Sequence, residues 1–312
     1  MIIHQGHIID EKPTSDYILF MGCSFTWGQG LWSYDKNNPM TPTYNEFIFD
    51  EVLPPVESDK YRVELRYGNL VSKNYGLQML TKATNGGSEV ESIRILNEMM
   101  IGKMNDQQGY VFPLDLCKLC IFQFSAAERN YDHFEFRNKI YRIDLQGNKY
   151  PDKDSFVSVD KGLYNKGIYD EEICKPANID IFFDYLIDKG LDIDEYFDLH
   201  CRQWLSKVQG VCTKLEDKGI PCIFWHWEDY YLPHLDGFSW LKKRTIPLMY
   251  NGESFGCYSH MAKKYSNLYI RGDKTANRYP KDKDEHPSKE GHSVISESVI
   301  KFIDERKEIL LR

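Results

Sequence analysis

A short apolar run near the amino terminus, which ends in small residues, constrains the fold more than any other stretch. Residues 17–21 read Tyr-Ile-Leu-Phe-Met, which has the length and composition of a buried strand. Gly22, Cys23 and Ser24 follow directly, so the Ser24 hydroxyl lies at the carboxyl edge of a sheet, where open α/β sheets bind ligands. Ser24 is therefore a candidate for chemistry. The alternative is that it only caps the structure that follows.

Further apolar runs alternate with helical patterns along the chain. They predict strands at residues 77–84, 114–124, 220–227 and 267–271, and helices at residues 61–76, from 88 onward, 192–218, 258–266 and 288–311. Ser88 followed by Glu91 has the spacing of a capping box. Strands that alternate with helices favour a parallel, doubly wound sheet with right-handed crossovers.

Residues 130–191 interrupt this alternation. Within them, residues 142–149 predict a hairpin that turns at Gln146-Gly147-Asn148. No linker rich in proline, glycine or serine separates the segment from the rest of the chain. We therefore expect a single domain over residues 1–312, with residues 130–191 as a loop-rich insertion or cap.

Charge and hydropathy exclude several functions. The net charge of -8 argues against general binding to a nucleic-acid backbone, which needs a basic surface. No apolar run approaches the roughly 18 residues of a membrane span. Residues 1–6 lack the basic and apolar regions of a signal peptide, so we expect a cytoplasmic protein without membrane contact. Cys117 and Cys120 have metal-ligand spacing, but a second pair is missing, and we interpret both as structural.

A second candidate site precedes the last predicted helix. Residues 284–292 read Asp-Glu-His-Pro-Ser-Lys-Glu-Gly-His. A carboxylate two residues before a histidine can orient the imidazole, which can then accept a proton from a serine hydroxyl. This loop follows the last predicted strand, so His286 emerges at the same sheet edge as Ser24. The alternative is a surface turn in which Ser288 caps the helix.

Three blocks together resemble the SGNH/GDSL hydrolase superfamily: Gly22-Cys23-Ser24, Asn-Gly-Gly-Ser at residues 85–88, and Asp-Glu-His at residues 284–286. The resemblance implies a flavodoxin-like sheet of about five parallel strands with helices on both faces. It also implies that Ser24 is the nucleophile, His286 the general base and then acid, and Asp284 the orienting carboxylate. The backbone N–H groups of Ser24 and of Gly86 or Gly87 would form the oxyanion hole.

The sequence departs from the family pattern in two places. The third block usually supplies an asparagine to the oxyanion hole, and Ala127 stands about there. Ser125, or less directly Arg129, is the replacement donor that we expect. The aspartate usually lies three residues before the histidine, where this chain has Lys283. Asp284 is then a shorter variant; Asp282 is an alternative source of the carboxylate, which is also dispensable in principle.

Aromatic residues near the predicted strand ends suggest a substrate pocket. Trp27, Trp225 and Trp227 are candidates to line it, and a role in the core is the alternative. His226 is a second candidate base, and we interpret it as structural because tryptophans flank it.

We therefore expect a serine hydrolase or acyltransferase that acts on an O-acyl ester of a sugar-like or other small polar scaffold, such as a carbohydrate or nucleoside. No metal or organic cofactor is required by this chemistry. One alternative is a binding or structural protein that keeps the fold without efficient catalysis. Another is a nucleotide-binding flavodoxin-like module, since residues 24–30 form a small-residue loop after the first strand.

Overall fold

The computed structural model describes residues 2–4, 7–9, 13–34, 56–83, 87–102, 112–145, 156–158, 179–276 and 285–311. The strands are β1 (Ile2–His4), β2 (His7–Ile9), β3 (Tyr17–Gly22), β4 (Gln78–Ala83), β5 (Cys117–Phe124), β6 (Asp132–Phe136), β7 (Lys139–Asp144), β8 (Phe156–Ser158), β9 (Cys222–His226), β10 (Leu248–Tyr250) and β11 (Glu253–Phe255). The α-helices are α1 (Ser24–Trp27), α2 (Val56–Leu65), α3 (Tyr67–Tyr75), α4 (Glu89–Met100), α5 (Ile179–Lys189), α6 (Ile193–Glu216), α7 (Ser239–Arg244), α8 (Tyr258–Lys264), α9 (Lys289–Asp304) and α10 (Lys307–Leu310).

A parallel sheet with the strand order β4-β3-β5-β9 forms the centre of the described structure. This order is that of a flavodoxin-like sheet through its fourth strand. The chain leaves β3 toward one side to form β4 and then crosses to the other side to form β5. The crevice between the carboxyl ends of β3 and β5 is therefore the topological switch point, where such sheets bind ligands. The predicted α/β class and its parallel sheet are confirmed.

Side chains alternate between two apolar clusters because successive residues of a strand point to opposite faces. On β3, Tyr17, Leu19 and Met21 pack into one cluster with residues of α4 and α6. Ile18 and Phe20 pack into the other with residues of α3, α8 and α9. Both faces of the sheet are therefore covered by helices, which explains why its strands are nearly continuous apolar runs.

The predicted fifth strand at residues 267–271 is wrong, and the described sheet has four strands. Two short 3-10 turns, Ser266–Leu268 and Ile270–Gly272, occupy this stretch instead. The turns bury Leu268 and Ile270, so the apolar pattern that suggested a strand is satisfied without sheet pairing. Tyr269 makes a single antiparallel bridge to Pro287.

The inserted region contains a hairpin that was not predicted from the sequence. Strands β6 and β7 pair antiparallel around Arg137 and Asn138, which both have positive φ, as a two-residue type I′ turn requires. The turn predicted at residues 146–148 lies outside the described residues. Phe134 of β6, Tyr141 of β7 and Phe182 of α5 belong to the same apolar cluster as one face of the central sheet.

Helix boundaries differ from the prediction where tertiary contacts intervene. The helix predicted at residues 61–76 is broken by Arg66, which has extended backbone, and ends as predicted at Gly76 in left-handed conformation. Ser88 is the N-cap residue of α4, but its side chain accepts no capping hydrogen bond, so the predicted capping box does not form. Within the described ranges, no helix combines the length and apolar character needed to cross a membrane.

Candidate active site

The turn after β3 places Ser24 at the carboxyl edge of the sheet. Ser24 begins the single-turn helix α1, which ends at Gly28 in left-handed conformation. Gly22 precedes this turn at a point where the chain passes close to β5. A Cβ atom at Gly22 would lie 2.5 Å from both Gln123 Oε1 and Thr26 Oγ1, so the close approach requires glycine.

The Ser24 hydroxyl meets an imidazole that comes from the other end of the chain. His286 Nε2 lies 2.9 Å from Ser24 Oγ, although 262 residues separate them in sequence. Ser24 is 1% exposed, while His286 is half-buried and its ring packs 5.0 Å from that of Phe25. With the proton on Nδ1, His286 Nε2 accepts the hydroxyl proton of Ser24. This is the geometry of a nucleophile and its general base.

Backbone hydrogen bonds hold the His286 turn against the two 3-10 turns. Ile270 N donates to His286 O at 2.9 Å, and Ser288 N donates to Leu268 O at 2.7 Å. Ser288 caps α9, since its Oγ accepts from Gly291 N, and it also donates to Asn267 O at 2.8 Å. The predicted cap is confirmed, and it is compatible with a chemical role for His286.

The turn over residues 22–28, which carries Ser24 and is called the nucleophile turn below, is held by Gln123 near the end of the neighbouring strand β5. Gln123 Oε1 accepts hydrogen bonds from Cys23 N at 3.2 Å and from Thr26 Oγ1 at 2.7 Å, while its Nε2 donates to Cys23 Sγ at 3.1 Å. The amide is 1% exposed. Gln123 was not among the predicted site residues; its signal in the sequence was one amide within the apolar part of β5 that follows Lys118.

The same hydrogen-bond chain continues into the core. Thr26 uses its hydroxyl proton for Gln123, so Tyr67 donates to Thr26 Oγ1 at 3.1 Å and accepts from Trp225 Nε1 at 3.1 Å. Tyr67 N donates to His292 Nδ1 at 3.2 Å. The nucleophile turn is thereby connected to α3, β9 and α9. Trp225 is fully buried in this network, so we withdraw it from the set of substrate-binding residues.

The segment after β5 is anchored by the buried carboxylate of Glu89, at the start of α4. Ser125 N donates to Glu89 Oε1 and Asn130 Nδ2 to Glu89 Oε2, both at 2.6 Å. Ser125 Oγ donates to Gly87 O at 3.0 Å. Burial raises the pKa of Glu89 to about 7, although these hydrogen bonds oppose the rise. Both donors of Ser125 are therefore committed, which argues against Ser125 as the replacement oxyanion donor.

Two of the predicted tryptophans remain partly accessible. Trp227 packs 4.2 Å from Phe25, ring to ring, and the Arg129 guanidinium lies 5.0 Å from the Trp227 ring centre. Trp27 follows Ser24 by three residues, and the Arg62 guanidinium lies 4.2 Å from its ring centre. Trp227 is thus joined to the Ser24–His286 pair through Phe25.

His226 does not act as a base in this arrangement. It is fully buried, stacks on Phe124 at 4.7 Å, and neither ring nitrogen has a hydrogen-bond partner among the described residues. Burial lowers its pKa to about 3, so the ring is neutral at physiological pH.

Several predicted site residues fall outside the described ranges. Asp284, the alternative Asp282 and Gly86 are among them. Gly87 is described and buried at the start of the segment that leads into α4. Ala127, at the position of the family's asparagine, is fully buried and its methyl side chain offers no donor.

The strand order defines an α/β protein with a flavodoxin-like sheet, and a serine–histidine pair lies at the switch point of that sheet. No protein-family model and no curated protein matches the sequence. Similar solved structures include a carbohydrate esterase (TM-score 0.43, 11% identity, covering 96% of this chain and 72% of that one). They also include an acetyl xylan esterase from the rumen bacterium Butyrivibrio proteoclasticus (TM-score 0.43, 8% identity, covering 94% of this chain and 64% of that one). A third is a protein of the G-D-S-L family from Desulfitobacterium hafniense (TM-score 0.33, 9% identity, covering 92% of this chain and 99% of that one).

Proposed function

We propose that the protein is a serine hydrolase or acyltransferase that acts on an O-acyl ester of a carbohydrate or a similarly polar small molecule. The distance of 2.9 Å between His286 Nε2 and Ser24 Oγ carries this proposal. The pair lies at the carboxyl edge of a parallel sheet, where this fold class binds its ligands.

The reaction follows from this geometry. Ser24 Oγ attacks the acyl carbonyl carbon and passes its proton to His286 Nε2, while the carbonyl π electrons move onto oxygen. When the carbonyl re-forms, the bond to the alcohol breaks, and His286 returns the proton to the departing oxygen. Water or an acceptor hydroxyl then repeats the sequence on the acyl-serine, and Ser24 Oγ leaves with the proton from His286.

Two parts of this machinery rest on the family resemblance. Asp284 is proposed to orient the His286 ring and to stabilise its protonated form. The backbone N–H groups of Ser24 and of Gly86 or Gly87 are proposed to donate to the oxyanion. Ser24 begins α1, and the first N–H groups of a helix have no acceptor within the helix, which supports a role for Ser24 N.

The surroundings of the pair favour a polar scaffold with one apolar face. Trp227 is half-buried and reaches the pair through Phe25, and Trp27 is also half-buried on the nucleophile turn. Aromatic rings with partly open surfaces offer stacking area, which suits a sugar ring. We propose Trp27 and Trp227 as the stacking residues.

Covalent labelling tests the proposal. A fluorophosphonate probe should add once to the wild type, as measured by intact mass, and should fail to add to Ser24→Ala. His286→Asn should slow labelling by orders of magnitude, since Ser24 then loses its base. Ser72→Ala is the matched control: Ser72 is buried on α3, and its hydroxyl has no hydrogen-bond partner in the described structure.

The competing function is a binding protein without efficient catalysis, which the buried methyl group of Ala127 favours. A folded wild type that takes up no probe would support this alternative and contradict an esterase. Saturable binding of a nucleotide or flavin would favour the nucleotide-binding module instead.

A further inference from the structure

In the segment after β5, the side-chain donors of Ser125 and Asn130 already form hydrogen bonds within the protein. Ser125 donates to Glu89 and to Gly87 O. The two amide hydrogens of Asn130 go to Glu89 Oε2 and, at 2.8 Å, to Tyr231 OH. A side-chain donor that faces a substrate at this edge must therefore come from another residue of the segment.

Arg129 is different from these residues. Its guanidinium is half-buried and forms no hydrogen bond or ion pair with any residue in the described structure, and its buried Nη1 has no partner there. By comparison, Arg244 forms hydrogen bonds to Glu216 at 2.8 and 3.0 Å, and Arg137 forms one to Asp184 at 2.9 Å. The Trp227 ring and the Glu89 carboxylate interact with the charge of the guanidinium, but they leave its N–H groups without an acceptor. Burying such donors costs free energy, so an acceptor supplied by a ligand explains the arrangement.

The position of Arg129 connects it to the nucleophile. Its guanidinium lies 5.0 Å from the ring centre of Trp227, which packs 4.2 Å from Phe25, the residue after Ser24. The ring of Phe25 lies 5.0 Å from that of His286. Arg129 also follows β5, the strand whose carboxyl end lies beside that of β3.

On the basis of the proposed function, we propose that Arg129 donates a hydrogen bond to the acyl carbonyl oxygen as it becomes negatively charged. Arg129 thereby supplies the donor that Ala127 lacks. A guanidinium hydrogen bond to an oxyanion is charge-assisted and stronger than one from a neutral amide. An arginine side chain is not deprotonated in proteins, so the guanidinium stabilises charge and transfers no proton.

Two other unpartnered donors are rivals for this role. Trp227 Nε1 and the amide of Gln29 are buried without a hydrogen-bond partner in the described part of the chain. Gln29 is only 1% exposed, whereas the Arg129 side chain is partly open to solvent. Arg129 is also the only one of the three that carries a positive charge.

The test compares variants in two assays, the rate of fluorophosphonate labelling and the hydrolysis of p-nitrophenyl acetate. Arg129→Ala should lower kcat by about 100- to 1,000-fold with little change in KM, as expected for loss of an oxyanion donor. Labelling should slow in parallel, because the phosphonyl oxygen occupies the same site. Arg129→Lys should retain part of the activity. Millimolar guanidinium should partly restore Arg129→Ala and have no effect on Ser24→Ala.

Controls separate this inference from the proposed function. Arg137→Ala, on the distant hairpin, should match the wild type, and thermal melting verifies that every variant is folded. The oxyanion role is overturned if Arg129→Ala raises KM alone or has the same kcat as the wild type. It is also overturned if Gln29→Leu or Trp227→Phe lowers kcat more than Arg129→Ala does. In each of these cases the protein is still an esterase. If the folded wild type neither labels nor hydrolyses, both are overturned.

Discussion

At the scale of single residues, Gln123 fixes the turn that carries Ser24. One carbonyl oxygen, Oε1, accepts from both the backbone N–H of Cys23 and the hydroxyl of Thr26. The turn that presents Ser24 is therefore held by a side chain of the adjacent strand as well as by its own backbone hydrogen bonds, and its position depends on the pairing of β3 with β5.

Replacing Gln123 by leucine should destabilise the protein and suppress labelling of Ser24. Two buried donors lose their acceptor, at about 1–3 kcal/mol each, so we expect the free energy of unfolding to fall by about 2–6 kcal/mol in denaturant titrations. Gln78→Leu is the matched control: Gln78 Oε1 also accepts from two backbone N–H groups, of Thr14 and Ser15, but in an exposed position on β4. Equal losses for the two variants would contradict the role of Gln123.

Glu89 should give the protein a distinctive dependence on pH. Burial raises its pKa from 4.5 to about 7, so between these values the folded state binds a proton that the unfolded state has lost. The resulting stabilisation is complete below pH 4.5 and is lost as the pH rises through 7, by at most about 3 kcal/mol. Glu89→Gln should remove this contribution in denaturant titrations from pH 4.5 to 8.

Glu98→Gln, on the same helix and more exposed, is the control and should leave the pH profile unchanged. A wild type and a Glu89→Gln variant with identical profiles would show that Glu89 is ionised throughout. The variant should also slow labelling, since a glutamine offers one acceptor where Ser125 N and Asn130 Nδ2 need two.

At the scale of elements, the start of α9 links stability to activity. Ser288, two residues after His286, caps the helix and donates a hydrogen bond to Asn267 O. Ser288→Ala should lower the free energy of unfolding by about 1–2 kcal/mol and reduce kcat by loosening the histidine turn.

Asp192→Ala is the matched control because Asp192 caps α6 in a capping box with Glu195. This variant should lower the free energy of unfolding by about 1 kcal/mol and leave the rate of labelling unchanged. A variant of Ser288 that loses stability but keeps the wild-type kcat would show that the cap and the histidine are independent.

Elements with strong local signals were predictable from the sequence. Continuous apolar runs identified β3, β5 and β9. Ser24 and His286 meet as predicted, although the prediction placed His286 after a fifth strand that the described sheet lacks. The fifth strand failed because Leu268 and Ile270 are buried by 3-10 turns, which give the same apolar pattern. The capping box predicted from Ser88 and Glu91 failed because the Ser88 side chain accepts no hydrogen bond from the first turn of α4. Gln123 was missed because its partners are about 100 residues distant.

At the scale of the whole molecule, two buried histidines should make the fold sensitive to acid. His226 and His292 are fully buried, and burial lowers the pKa of each to about 3; the neighbouring His286 and Arg66 add to the effect at His292. The unfolded chain binds protons at these residues near pH 6.5, so stability is present above that value and is lost as the pH falls below it.

His226→Phe isolates one of these contributions. Since the His226 ring stacks on Phe124 and its nitrogens have no partner in the described structure, phenylalanine keeps the packing and removes the titration. Each histidine should lower the free energy of unfolding by about 2 kcal/mol at pH 5 relative to pH 8. In denaturant titrations, the decrease in this free energy between pH 8 and pH 5 should therefore be smaller by that amount in the variant than in the wild type. His260→Phe, which changes an exposed ring, serves as the control. An unchanged acid profile in His226→Phe would show that His226 binds its proton in the folded state.

The bond between Gln123 and the nucleophile turn gives labelling a second use. A parallel strand that slips by one residue turns its side chains to the opposite face, and Gln123 would then point away from Cys23 and Thr26. A reactive Ser24 thus reports that the two central strands are correctly aligned. In a refolding experiment, the time at which the probe begins to add would mark when the middle of the sheet acquires its final register, separately from the recovery of helical signal.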